Sequence, residues 1–205
     1  MAQHEYDAAE ITVLEFDEVV LKRPGMYFGV GLDDPGLPVT LLSVAAQHAL
    51  HPAAHVAEDR SLTSVIEILG DLRFAVTINQ RHTWPDSPPL GYHGSLIGPE
   101  WWSLAAIAAL CGTTTAEMWC DGRGFGQELA GLRPRTAVWR FEPPPGSGTR
   151  VTFTLDARRL PPGTAFPADL GGLTVHGPYC DAADGPGTVA VHDSRNGPGI
   201  GASFF

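Results

Sequence analysis

The chain has 205 residues, 43% of them hydrophobic and 18% charged, with a formal net charge of −10. That is enough apolar material for one sizeable core. A surface this acidic repels a phosphate backbone, and the short basic groups at Lys22-Arg23, Arg133–Arg135 and Arg158-Arg159 form no stripe to overcome it, so direct nucleic-acid binding is not expected.

No charged start leads into an apolar stretch, and no apolar run reaches 18 residues. Neither a signal peptide nor a membrane partner is therefore expected, and the expected location is cytoplasmic. The three cysteines, Cys111, Cys120 and Cys180, have irregular spacing that fits neither a metal box nor a disulfide framework. They read as reduced thiols.

Residues 1–10 are polar and are expected to be flexible. Ile11, Leu14, Phe16, Val19 and Val20 suit a short helix or an extended arm over 11–22. Lys22–Gly29 reads as a turn, followed by a loop through Gly36. Residues 37–51 carry helical apolar spacing, and Pro52 stops that helix. Val65–Leu69 and Phe74–Ile78 read as strands of a hairpin about Gly70-Asp71.

Residues 83–99 are rich in proline and glycine and read as a loop. Residues 100–111 form a second helix, apolar nearly all round and hence buried. Strands are expected at 114–120, 125–130, 136–142 and 149–155. A last hairpin is expected to pair Gly172–His176 with Thr188–His192. The sum is an α+β two-layer sandwich, with helices on one face of a mostly antiparallel sheet. It is read as one domain over 11–195, followed by a C-terminal tail over 196–205.

The run Leu14–Gly29, ending in Lys22-Arg23-Pro24-Gly25-Met26-Tyr27-Phe28-Gly29, resembles the start of gyrase-B and topoisomerase-IV ATPase domains of the GHKL superfamily. Seven residues of the family's eight-residue KRPGMYIG signature stand here. The later order of elements is also similar, with a helix after Gly36-Leu37, a hairpin, a lid, a second helix and meander strands. A Gly148-Thr149 pair opens a late strand, as in the family. The resemblance implies the GHKL fold and a nucleotide pocket. On its first helix a Glu would activate water and an Asn would hold Mg²⁺. An Asp box would read adenine, and lid glycines would let N–H groups approach phosphates.

Each of those positions differs. Ser43 stands at the place of the base and Gln47 at the place of the metal-binding Asn. The adenine box becomes Asn79–Pro85, with Asn79 for the Asp and Thr83 for a glycine. The lid, Gly91–Trp102, keeps Gly94 and Gly98 but gains Pro99 and Glu100. ATP hydrolysis is therefore not expected. Asp121-Gly122-Arg123-Gly124 spells the adenine box in the wrong place and reads as a hairpin turn.

The rebuilt pocket walls supply the candidate residues. Ser43, Gln47 and His51 recur at i, i+4 and i+8 on one helix face. His82 stands on the opposing wall. His51, His82 and Glu100 are the acid–base candidates, since histidines titrate near neutral pH. Ser43, Gln47, Asn79, Thr83, Trp84, Tyr92, His93, Trp101 and Thr149 are the candidate ligand contacts. No metal and no cofactor are expected.

The first expectation is a small-molecule binder without ATP hydrolysis, with isomerase, cyclase or dehydratase chemistry of bacterial specialised metabolism as its catalytic form. The alternative is a non-catalytic interaction or resistance protein that mimics gyrase B. It would pair with a gyrase-type subunit, or with itself, through the N-terminal arm. A third is a nucleotide binder without hydrolysis, using Asn79 and Thr149.

Overall fold

The computed structural model describes residues 13–50, 62–84, 86–175, 187–195 and 201–204. The chain begins with helix α1 (Phe16–Lys22), where the Glu18 carboxylate accepts from the Glu15 N–H at 3.0 Å and satisfies a donor the helix leaves open. The signature residues then form a separate helical turn, α2 (Gly25–Phe28), where the sequence suggested only a turn and loop. Pro24 presets its start, and Gly29 ends it at φ 72°, a left-handed conformation that favours glycine. Phe28 is buried beneath it.

Helix α3 (Leu37–Leu50) buries Leu37, Leu41, Leu42, Ala45 and Ala46. Helix α4 (Trp102–Ala109) is buried at every position from Ser103 to Ala109, as its unbroken apolar sequence requires. α1 and α3 both pack against it.

The expected α+β architecture is observed. A sheet runs in the order β5-β4-β3-β7-β2-β1-β8-β9, with β6 paired to β4. Its strands are β1 (Leu62–Gly70), β2 (Arg73–Ile78), β3 (Cys111–Cys120), β4 (Arg123–Ala130), β5 (Arg133–Pro134), β6 (Trp139–Phe141), β7 (Gly148–Leu155), β8 (Gly187–Asp193) and β9 (Gly201–Phe204). On β7 the side chains of Val151, Phe153 and Leu155 are buried while Thr152 and Thr154 are half-buried, the period-two pattern of a sheet with one face on a core. Phe74 stacks on Phe153 at 4.9 Å, and Phe166 closes edge-on against Phe74 at 5.2 Å.

The β3–β4 turn confirms the reading of Asp121-Gly122 as a hairpin turn. Both residues take positive φ, 51° and 73°, as a type I′ turn demands. The expected strand over 136–142 shrinks to Trp139–Phe141, because the Glu128 carbonyl draws in the N–H groups of Arg135 and Thr136 and breaks the ladder.

The expected last hairpin is not formed. β8 pairs in parallel with β1 and antiparallel with β9, a strand within the stretch read as a tail. Residues 172–175 are not a strand, and His176 lies outside the described residues. The main chain of Thr174 is instead bonded to side chains of α3. The preceding Pro/Gly-rich coil is packed rather than loose. Arg195 donates to the carbonyls of Phe166 (2.7 Å) and Pro167 (3.1 Å), and Phe166 N–H donates to Asp71 O at 2.8 Å.

Candidate functional site

The site begins where β2 leaves the sheet. Asn79 extends the hairpin by one step, accepting from Thr63 N–H on its Oδ1 at 2.7 Å and donating its own N–H to Thr63 O at 3.2 Å. Residues 80–84 then cross the ends of β3 and β7. His82 is fixed there at several points. Its N–H donates to Ser147 Oγ at 2.9 Å, and its carbonyl accepts from Cys120 Sγ at 3.1 Å. Its ring Nε2 lies 2.8 Å from Thr149 Oγ1 and 3.2 Å from Gly148 O. Gly148 lets the Trp119 ring and the Ile78 carbonyl pack close beside this anchor, since a Cβ there would collide with both.

Aromatic rings line up behind this anchor. Trp84 stacks on His82 at 4.9 Å and meets Phe125 edge-on at 5.6 Å. Trp101 lies 6.2 Å from His82 and 6.3 Å from His48. The rings of His82, Trp84 and Trp101 border a cavity of about 250 Å³. Its walls come from Gln80 to Trp84, from Pro89, Leu96, Glu100 and Trp101 around the lid, and from Met118 on β3.

The electrostatics of the cavity follow from burial. Burial lowers the His82 pKa from the usual 6.5 to about 4, and the Gly148 carbonyl opposes this only in part. Burial thus favours the neutral imidazole at pH 7, where residue type alone suggested a histidine titrating near neutral pH. His48, almost fully buried, is likewise lowered to about 4 by desolvation, and its Nε2 has no hydrogen-bond partner. Gln80 is buried, and its Oε1 also lacks a donor. Cys111 is an inert thiol, pushed up to about 12 by burial.

Of the sequence candidates, His82, Thr83, Trp84, Glu100 and Trp101 meet at the cavity, with Thr149 behind His82. Others are used elsewhere. Ser43 Oγ accepts from Thr174 N–H at 3.1 Å, and Gln47 Nε2 donates to Thr174 O at 3.1 Å. The expected pocket face of α3 thus carries a strap of the chain's own backbone, whose polar groups need partners once Leu173 and Val175 are buried.

Tyr92 stacks on Phe16 at 4.6 Å. His93 sits between Asp17 (3.3 Å) and Arg133 (3.4 Å). Both lid residues therefore clasp α1 instead of lining the cavity. The lid is closed on itself, with Gly91 N–H on Ser95 O and Tyr92 N–H on Ile97 O. It is also tied to β4 through Leu96 N–H and Gln127 Oε1 at 2.9 Å. His51 lies outside the described residues.

The wall residues Gln80, Arg81, Pro89, Leu96 and Met118 were not among the sequence candidates. Gln80 and Arg81 had a signal, since they lie between the candidates Asn79 and His82. Among the described residues no cluster of three His, Cys, Asp or Glu could hold a metal ion, and no helix is long and apolar enough to cross a membrane.

No protein-family model matches the chain. Among curated proteins it is similar to the novobiocin-resistant DNA gyrase B protein of Streptomyces niveus, with 28% identity over 172 residues. The match covers 74% of this chain but 25% of that protein, so the chain spans about a quarter of its relative's length. Together with the α+β sheet and the signature at Lys22–Gly29, this similarity supports a gyrase-B-like relationship for the chain.

Proposed function

We propose that the chain binds a small organic molecule in the cavity beside His82 and does not hydrolyse ATP. The observation that carries this reading is the use made of Ser43 and Gln47. They stand where the resemblance places the base and the magnesium ligand, yet they hold the Thr174 backbone. A hydroxyl cannot replace a carboxylate base, and the strap occupies the face that phosphates would need. The cavity walls set Trp84, Pro89, Leu96, Trp101 and Met118 against Gln80, Arg81, His82, Thr83 and Glu100, an even mix that suits a small organic molecule with both apolar and polar groups.

Binding is favoured over catalysis. With a pKa of about 4, His82 is a weak base at pH 7, and its Nε2 is engaged with Thr149 and Gly148. An isomerase, cyclase or dehydratase step would depend on His82 and Glu100, and a neutral, pinned imidazole fits an anchoring role better. Calorimetry tests the reading. Magnesium with a non-hydrolysable ATP analogue at millimolar concentration should give no heat, while members of a panel of small aromatic metabolites should. Heat with the analogue, or turnover of ATP itself, would overturn it.

A second reading is a resistance or interaction protein that pairs with a gyrase-type subunit. It is favoured by the similar protein's being a novobiocin-resistant gyrase component. Novobiocin therefore belongs in the ligand panel, and co-elution with purified gyrase subunits on size exclusion would support this reading over the first.

A further inference from the structure

One wall of the cavity comes from residues 89–101, through Pro89, Leu96, Glu100 and Trp101. The middle of this segment is a loop closed on itself. Gly91 N–H donates to Ser95 O at 2.7 Å, Tyr92 N–H to Ile97 O at 3.0 Å and Ser95 N–H to Tyr92 O at 2.8 Å. Gly91 lies so close to Gly98 that a Cβ on it would collide with the Gly98 backbone. A loop bonded end to end in this way moves as a unit.

The loop is strained at its tip. His93 holds φ 53° and ψ 20°, a left-handed conformation that few residues other than glycine adopt and that persists only where the surroundings impose it. Here the surroundings belong to other elements. His93 Nε2 lies 3.3 Å from Asp17 Oδ1 on α1, and its Nδ1 lies 3.4 Å from an Arg133 guanidinium nitrogen on β5. Arg133 Nε lies 3.3 Å from Asp17 Oδ2, so the three side chains close a ring of contacts. The side chains of Asp17 and His93 are each 14% exposed, which shields their contact better than that of an open surface pair.

The two sides of the loop therefore have different duties. Its outer side is clasped by α1 and β5, with Tyr92 stacked on Phe16 beside the clasp. Its inner side presents Leu96 to the cavity and is bonded to β4 through Leu96 N–H and Gln127 Oε1. Asp17, His93 and Arg133 stand outside the cavity walls.

We propose that Asp17, His93 and Arg133 form a latch that keeps this wall shut, so that entry to the cavity is controlled from α1 and β5. Release of the latch lets His93 leave its left-handed conformation and lets the loop carry Leu96 away from the cavity. The proposal rests on the small-molecule reading only for what passes the opened wall.

Native-state hydrogen exchange of the free protein, read by NMR, tests the latch without a ligand. Asp17→Ala and His93→Ala should each speed exchange at the Tyr92 and Leu96 amides by about 5- to 30-fold, with no change at Phe153 in the middle of the sheet. His93→Gly should speed it less than His93→Ala, because glycine takes the positive φ freely. Arg133→Gln alters a half-exposed side chain, keeps the test in force if another variant does not fold, and should give about 1.5- to 5-fold. Wild-type exchange at Leu96 in the folded variants would overturn the latch, as would an equal rise at Phe153, which marks a general loss of stability. Either result leaves the small-molecule reading to its own calorimetry, and failure of that calorimetry leaves the latch standing.

Discussion

The segments Lys22–Gly29 and Asn79–Trp84 are both short links leaving regular elements, and they serve different ends. The first is committed to scaffold. Pro24 starts α2, Gly29 closes it, Phe28 fills the core, and Tyr27 meets Phe16 edge-on at 5.5 Å. The second keeps its backbone anchored through Asn79 and His82 and lends Gln80, Arg81, Thr83 and Trp84 to a cavity wall. The gyrase-like signature lies in the scaffold segment, whereas the cavity segment carries Asn79 and Thr83 where the resemblance would place an Asp and a glycine. A motif whose side chains hold the fold together can therefore persist whatever the neighbouring pocket does. Its presence is evidence for architecture and carries no information about chemistry.

The contrast breaks first at Phe28. Phe28→Ala should cost about 3–5 kcal/mol in urea denaturation, as for other buried aromatic truncations. A loss under about 1 kcal/mol would mean that the signature is not scaffold, and its retention would need another cause.

Acid should act through His82 of the cavity segment and through His48 on α3. His48 and His82 have folded pKa values of about 4 against the usual 6.5. Above pH 6.5 both are neutral in the folded and the unfolded chain, and their contribution is fully present. As pH falls from 6.5 towards 4 the unfolded chain takes up protons first, so stability drops across that window. Thermal melts at pH 7, 6, 5 and 4 measure it. His48→Leu also removes an unpaired buried nitrogen, worth about 1–3 kcal/mol. That variant should be at least as stable as wild type at pH 7 and should melt with a flatter acid limb. An unchanged limb would contradict the burial of His48.

Smaller effects separate anchor from strap. Thr149→Val removes the 2.8 Å contact to His82 and should cost about 0.5–1.5 kcal/mol while loosening the ring that Trp84 stacks on. Gln47→Ala should cost at most about 1 kcal/mol. Its clearest sign would be faster hydrogen exchange at Thr174, whose carbonyl it releases. Exchange at that amide identical to wild type would mean that the Ser43 contact alone holds the strap on α3.

Much of the fold was legible because its signals are local. Alternation along Val151–Leu155 and the apolar run of α4 declare themselves within ten residues. The parallel pairing of β8 with β1 was not legible, because the alternation within a strand does not say which distant edge it joins. The site divides the same way. His82, Thr83, Trp84, Glu100 and Trp101 were found from position in the chain. The diversion of Ser43 and Gln47 to Thr174, and of Tyr92 and His93 to α1, depended on contacts between segments far apart in sequence. The neutral state of His82 was equally hidden, since burial rather than residue type sets it.

The most direct test follows the indole N–H resonances of Trp84 and Trp101, assigned by single Trp→Phe variants, in two titrations. One uses magnesium and a non-hydrolysable ATP analogue to millimolar concentration, and the other a cocktail of one- and two-ring aromatic compounds. The aromatic cocktail should move both resonances and the nucleotide neither. Movement with the nucleotide, or no movement with any aromatic compound, would contradict a cavity that binds small organic molecules in place of ATP.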